Sequence, residues 1–297
     1  MSATESAAER LLSLRQFHQD GRRAPNKPLL VLLALERLAS TGSSQLRWSD
    51  TGTRLGELIG EFGPWNQGSV LQRAAYPFTH LRSDGVWQLS SDVPMDAIRP
   101  LNESDATGRL SSSIEDELLA HPERIPELAR RIVDAQWPAT VAPDVLTAVG
   151  FDPDAVGATP VALDPERRRR SAAWRNQILS AWDAACAFCG FDGSVGGAPV
   201  GIEAAHVRWF NIGGPDDLDN GLALCSLHHK LFDRGALGLS ADYRVEVSQG
   251  FRAVGAGRAV YDLHGVELRP RPGTQLPAEQ YVAWHRTQVF HGEPLAS

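Results

Sequence analysis

"CSLHHKLFDRG", residues 225–235, sets Cys225 three positions before His228 and follows that histidine at once with a second, His229. On a helix, adjacent side chains diverge by about 100° around the axis. The two imidazoles are therefore expected to serve different centres. Upstream, "CAFC" repeats the two-residue step with Cys186 and Cys189. Thiolates and an imidazole arranged in two such steps suit tetrahedral zinc, and a set of four with no open position is structural rather than catalytic. Cys186, Cys189, Cys225 and His228 are the expected ligands. The chain holds 3 cysteines, an odd number that cannot close into disulfides. The plainer alternative is three buried thiols and an unrelated histidine.

Working outward, "EAAHV" reads as a short strand carrying His206, and "NIGGPDDLDNG" as a loop of turn residues that contains Asn220. "LALC" reads as a returning strand, and the next segment as a helix carrying His229. The order is strand, loop, strand, helix, stapled by metal. With spacings of 14 and then 9 residues, His206, Asn220 and His229 resemble the HNH motif of the ββα-metal endonucleases. The resemblance covers roughly residues 186–240. It implies hydrolysis of DNA phosphodiesters, with His206 as general base, since a neutral imidazole takes a proton from water near neutral pH. It also implies a catalytic divalent cation, Mg²⁺, Mn²⁺ or similar, held by His229, and a positioning role for Asn220. Many members of the family place Asp or His just before the first motif histidine; here Ala205 stands there. Asp233, four residues after His229, is the favoured second ligand, with Glu203 as the other candidate.

The rest of the chain sets the context. At 297 residues it is long enough for two domains, and 42% hydrophobic with 22% charged residues is a globular composition. No run of 18 apolar residues exists to span a membrane, and "MSATESAAERLLSLRQ" lacks a secretory signal pattern, so a cytoplasmic location is the expectation. The formal charge of −7 is unevenly spread. Residues 1–100 carry 11 basic against 10 acidic side chains, residues 101–165 carry 4 against 12, and residues 166–297 carry 14 of each. Both ends are thus free to hold local basic patches. Arg167, Arg168, Arg169, Arg170 and Arg175 share one predicted helix and are candidates for phosphate contacts, or else a solvated face.

In the N-terminal part, "PLLVLLALERLA" reads as an apolar helix opened by Pro28, "TGTRLGELIGEFG" as a helix, and "GVWQLS" as a strand after a turn. Residues 5–19 read as an amphipathic helix. "SIEDELLAHPERIPELARRIVDAQWP" reads as one or two helices broken around Pro122 and Pro126, and "PDVLTAVGFDPDAVGATPVALDP" as a connector. The predicted fold class is α+β: a mostly helical N-terminal domain with a small sheet, a helical connector, and a C-terminal zinc-stapled ββα-metal domain. The expected domains are 1–160, including an acidic connector from about residue 101, and 161–297.

The order of "APNKPLL" and "RAAYPFTHLRSDGVW" over about residues 1–160 resembles the sulfur-binding domain that precedes an HNH domain in phosphorothioation-dependent, McrA-like type IV restriction endonucleases. That resemblance implies double-stranded, phosphorothioated DNA as the partner. Sulfur is softer and less hydrated than phosphate oxygen, so a shallow apolar cup favours it. Tyr76, Pro77 and the stem of His80 are the expected cup, with Lys27, Arg73 or the Arg22–Arg23 pair on flanking phosphates. Double-strand cleavage with one active site per chain implies a homodimer by analogy. Two rival readings remain open at this level: an HNH endonuclease directed to methylated bases, and a non-catalytic zinc-containing DNA-binding protein.

Overall fold

The computed structural model describes residues 6–15, 24–65, 68–157 and 165–296, the side chains of 165–171 excepted. The chain divides into two units, residues 1–136 with 142–161, and residues 137–141 with 162–297.

The first unit is built around one helix. After α1 (Ala7–Leu12), α2 (Asn26–Thr41) carries an unbroken buried run from Lys27 to Leu35. A helix apolar on every side must be enclosed on every side. The enclosing elements are α3 (Trp48–Phe62), which follows the short strand β1 (Leu46–Arg47), α4 (Val70–His80) and, further on, α7 (Arg124–Gln136) and α8 (Ala142–Val149). Strand β2 (Trp87–Leu89), helix α5 (Ile98–Ser104) and strand β3 (Thr107–Leu110) follow α4, and α6 (Ser112–Ala120) and α9 (Pro153–Gly157) complete the unit.

The sheet has the order β1-β3-β2, antiparallel, with Leu46 opposite Gly108 and Trp87 opposite Leu110. Its central strand therefore comes from the acidic segment after residue 101. That segment is no connector. It supplies the middle of the sheet, and "PDVLTAVGFDPDAVG" folds as α8 and α9. Gly108 explains why the strand was hard to see: a Cβ there would stand 2.3 Å from the Trp87 ring, so the strand centre must be glycine, the residue that most weakens a strand pattern. Pro122 lies between α6 and α7, whereas Pro126 sits in the first turn of α7, where no backbone donor is missed. The expected helix over 5–19 is shorter, and residues 16–23 lie outside the described residues.

The second unit starts with α10 (Pro165–Ala181), which holds Arg167–Arg170 on helical backbone, their side chains being outside the description. A small exposed hairpin, β4 (Ser194–Val195) with β5 (Ala198–Pro199), precedes the central one, β6 (Ile202–His206) with β7 (Gly221–Cys225). β6 and β7 pair antiparallel from Ile202 opposite Cys225 to His206 opposite Gly221. Helix α11 (Ser226–Asp233) leaves β7 directly, with Cys225 at its N-cap. A hairpin β8 (Leu237–Leu239) and β9 (Val245–Val247) and helix α12 (Glu279–Gln288) close the unit. Trp174, Ile178, Trp182, Phe188, Leu222, Leu224 and Phe232 form its core. Among the described residues, no helix is long and apolar enough to cross a membrane.

Candidate functional site

The "CAFC" segment is a tight turn: Gly190 N–H donates to the Cys186 carbonyl and Cys186 N–H to the Phe191 carbonyl, each at 2.8 Å. Ala187 N–H donates to the Ala223 carbonyl at 2.8 Å, which docks the turn on β7. This brings Cys186 and Cys189 to Cys225, at the junction of β7 and α11. His228 Nδ1 lies 3.5 Å from Cys186 Sγ and 3.3 Å from Cys225 Sγ, and the four donor atoms, Cys189 Sγ included, all lie within 4.8 Å of one another. Bonds of ordinary zinc length in a tetrahedron would put such donors roughly 3.5–3.8 Å apart, so the set fits the ion. The thiols already act on one another. A hydrogen bond with Cys225 holds the Cys186 thiol well below its usual range, and the same bond pushes Cys225 up.

His229 points elsewhere, as the helical twist requires. Its Nδ1 lies 2.7 Å from Glu203 Oε2 and its Nε2 3.1 Å from Asp233 Oδ2. Burial disfavours a charged ring here, but Asp233 and Glu203 outweigh it and raise the pKa to about 10. The two carboxylates set a negative field around the ring.

The two carboxylates differ in what they have left to give. Asp233 is 3% exposed, and its oxygens accept from Trp209 Nε1 at 2.9 Å, from Thr140 Oγ and from His229. It is buried, and it meets the Nε2 edge of the His229 ring. The Glu203 side chain is 43% exposed. It comes from the face of β6 that also carries Ala205, since alternate strand residues share a face. Glu203 also accepts from Ser226 Oγ at 2.7 Å, and its bond with His229 holds its pKa down at about 2.

His206 ends β6. Burial pushes its pKa below the usual value, against the pull of Asp216, so the ring is neutral at neutral pH. Nε2 meets Asp216 Oδ1 at 2.8 Å, and the Trp174 indole stacks on the ring with centroids 3.7 Å apart and 13° between planes. Asn220 is fully buried and tied at every atom it can use. Its Oδ1 accepts from Arg208 N–H at 2.8 Å, and its Nδ2 donates to the Arg208 carbonyl at 3.0 Å and the Pro215 carbonyl at 2.9 Å. The loop it closes is so tight that a Cβ at Gly214 would stand 1.8 Å from the Arg208 carbonyl oxygen. Asp216, Trp174 and Trp209 escaped sequence reasoning. "GGPDDLDNG" offers several acids and no way to rank them, and neither tryptophan lies in a motif.

In the first unit, the residues expected at a DNA surface part company. Arg22 and Arg23 lie outside the described residues. Lys27 is buried, with its ammonium 2.5 Å from Asp84 and 2.8 Å from the Arg15 carbonyl. Arg73 spends Nε on the Gly68 carbonyl at 3.0 Å and Nη1 on the Gly56 carbonyl at 3.4 Å, which pins α4 to α3. Tyr76 and His80, one helical turn apart on α4, stack with centroids 4.4 Å apart, and His80 Nε2 meets Asp96 Oδ2 at 3.0 Å. Pro77, next to Tyr76 on the same helix, is buried. Burial, reinforced by Asp96 and Asp84, pushes the Tyr76 phenol above its usual pKa, so it stays neutral. Asp84→Ala would strand the Lys27 ammonium in the interior and is expected to lower stability by about 3–5 kcal/mol in urea melts. Little change would contradict the structural reading of Lys27.

The hairpin, helix and three motif residues define an HNH-type endonuclease unit, and the HNH endonuclease family model matches residues 186–240. The model of the ScoMcrA-like DNA sulfur-binding domain matches residues 4–154, and the chain belongs to that family. Among solved structures, a sulfur-binding domain of ScoMcrA complexed with phosphorothioated DNA is 18% identical, with a TM-score of 0.45, over 52% of this chain and 100% of that one. The corresponding domain of SprMcrA, in the same kind of complex, is 22% identical with a TM-score of 0.39, over 48% and 90%. The type IV phosphorothioation-dependent restriction endonuclease ScoMcrA is 20% identical with a TM-score of 0.40 over 63% of this chain, which spans about a third (36%) of that longer enzyme. No curated protein matches the chain. The family assignment rests on the sequence models, not on these superpositions.

Proposed function

We propose that the chain is a phosphorothioation-dependent DNA endonuclease. The observation that carries this is the succession of two family matches, a DNA sulfur-binding domain over 4–154 and an HNH endonuclease over 186–240. The first unit binds double-stranded DNA carrying backbone sulfur, and the second hydrolyses a phosphodiester nearby.

In the second unit, His206 is neutral and takes the proton from the attacking water. Asn220 keeps the loop around it closed. Glu203 and His229 Nδ1 form an adjacent carboxylate and imidazole suited to a divalent cation such as Mg²⁺ or Mn²⁺, while Asp233 fixes the His229 ring from behind. Such a cation, when bound, stabilises charge on the phosphorus oxygens and on the leaving oxygen. Cys186, Cys189, Cys225 and His228 hold zinc as a staple and take no part in the chemistry. With one HNH motif in the chain, a homodimer on DNA is the arrangement that would cut both strands together.

Binding is tested apart from cutting with the full-length His206→Ala variant. It is expected to bind a phosphorothioated duplex more tightly than the same duplex with ordinary phosphates. One atom sets the difference, which is therefore a few kcal/mol at most, about the scale of burying one poorly paired polar group. Added salt should weaken binding to both, because phosphate contacts release counterions, and leave most of the ratio. Tyr76→Ala should collapse it. Equal affinity across salt would remove the sulfur reading.

A further inference from the structure

Asp216 has no assigned task, yet its carboxylate is held with unusual care. The residue before it, Pro215, has its carbonyl bound by Asn220 Nδ2 at 2.9 Å. The residue after it, Asp217, has its carbonyl bound by Trp174 Nε1 at 3.0 Å. Both clamping side chains belong to buried residues. Between the two clamped carbonyls, Asp216 Oδ1 reaches His206 Nε2 at 2.8 Å, with the two side chains 25% and 19% exposed. The same indole that clamps Asp217 lies flat on the His206 ring. The imidazole is thus fixed at its edge by Asp216 and on its face by Trp174, and both supports meet in one loop.

We infer that Asp216 is the positioning residue of His206: it holds the proton on Nε2 and so makes Nδ1 the atom that accepts the proton from water. This deepens the nuclease reading and rests on it. The chemical reason is simple. A carboxylate only accepts hydrogen bonds, so the nitrogen facing it must carry the hydrogen, and the lone pair of a neutral ring is left on the other nitrogen. The charged neighbours from α11, Asp233 and His229, act on His206 through space, and Phe210 tilts against it at 5.8 Å between centroids. Asp216 is the group bonded to the ring. Asn220 gains a definite route of action: it reaches His206 through Pro215 and Asp216, not by touching the ring.

The test uses the full-length protein labelled with ¹⁵N-histidine, with His206→Ala to assign the ring. In the unsubstituted protein at neutral pH, long-range N–H correlations are expected to show His206 with hydrogen on Nε2 and a bare Nδ1. In Asp216→Ala the ring should become a mixture of tautomers. Turnover should fall about 10- to 100-fold, the range for removing the partner that orients a functional imidazole, with DNA affinity and zinc content unchanged. Asp216→Glu should regain part of the turnover, and Asp217→Asn, whose side chain is exposed, should change nothing. A purely structural carboxylate would not move the tautomer. Hydrogen on Nδ1 in the unsubstituted protein, or an Asp216→Ala variant with unchanged tautomer and turnover, would overturn the inference. If the protein cuts no DNA at all, the nuclease reading fails while the tautomer still decides the role of Asp216.

Discussion

Cys189→Ser is expected to unfold the second unit while the first stays folded. The Cys186, Cys189, Cys225 and His228 cluster brings the "CAFC" turn to the end of β7 and the start of α11, so a metal held there would join segments far apart in the chain. Zinc in such sites contributes on the order of 10 kcal/mol of apparent binding energy. That is comparable with the roughly 5–15 kcal/mol of net stability of a whole domain. Losing one thiolate forfeits most of it. The unsubstituted protein should contain one zinc per chain by elemental analysis. The variant should lose the metal, and limited proteolysis should then degrade residues beyond about 165 while sparing a fragment from the first unit. A metal-free protein with an intact second unit would refute the staple.

The second large effect is on chemistry alone. His206→Ala should reduce cleavage by about 10²–10⁴-fold, the usual worth of a general base, and leave DNA affinity and zinc content unchanged. His229→Ala should remove cleavage equally but for another reason, since it takes away the imidazole beside Glu203. It too should keep its zinc. That result separates the adjacent histidines directly. Loss of zinc from His229→Ala would mean that the division of labour between His228 and His229 is wrong.

Much of the second unit could be read from the sequence because its chemistry depends on spacing. A Cys-x-x-Cys turn, a Cys-x-x-His step and a helix between neighbouring histidines leave little freedom in where the donor atoms go. The choice between Asp233 and Glu203 was not legible in the same way. Helical spacing puts Asp233 beside His229, as the structure has it, but the sequence does not show that Trp209 and Thr140 also donate to it. Glu203 reaches His229 only through the pairing of β6 with β7 and the packing of α11 on that hairpin. In the first unit, the apolar run of α2 announced a buried helix. Strand β3 was hidden by its short length and by Gly108, and the burial of Lys27 was hidden because a lysine in a sequence carries no mark of it.

The central claim is tested most directly by cleavage of two plasmids of one sequence, prepared with and without phosphorothioate linkages, incubated with the full-length protein and Mg²⁺ or Mn²⁺. The account predicts that the sulfur-containing plasmid is cut and the plain plasmid is left intact, and that chelating the divalent cation stops the cutting. Equal cutting of both plasmids, or of neither, would contradict it.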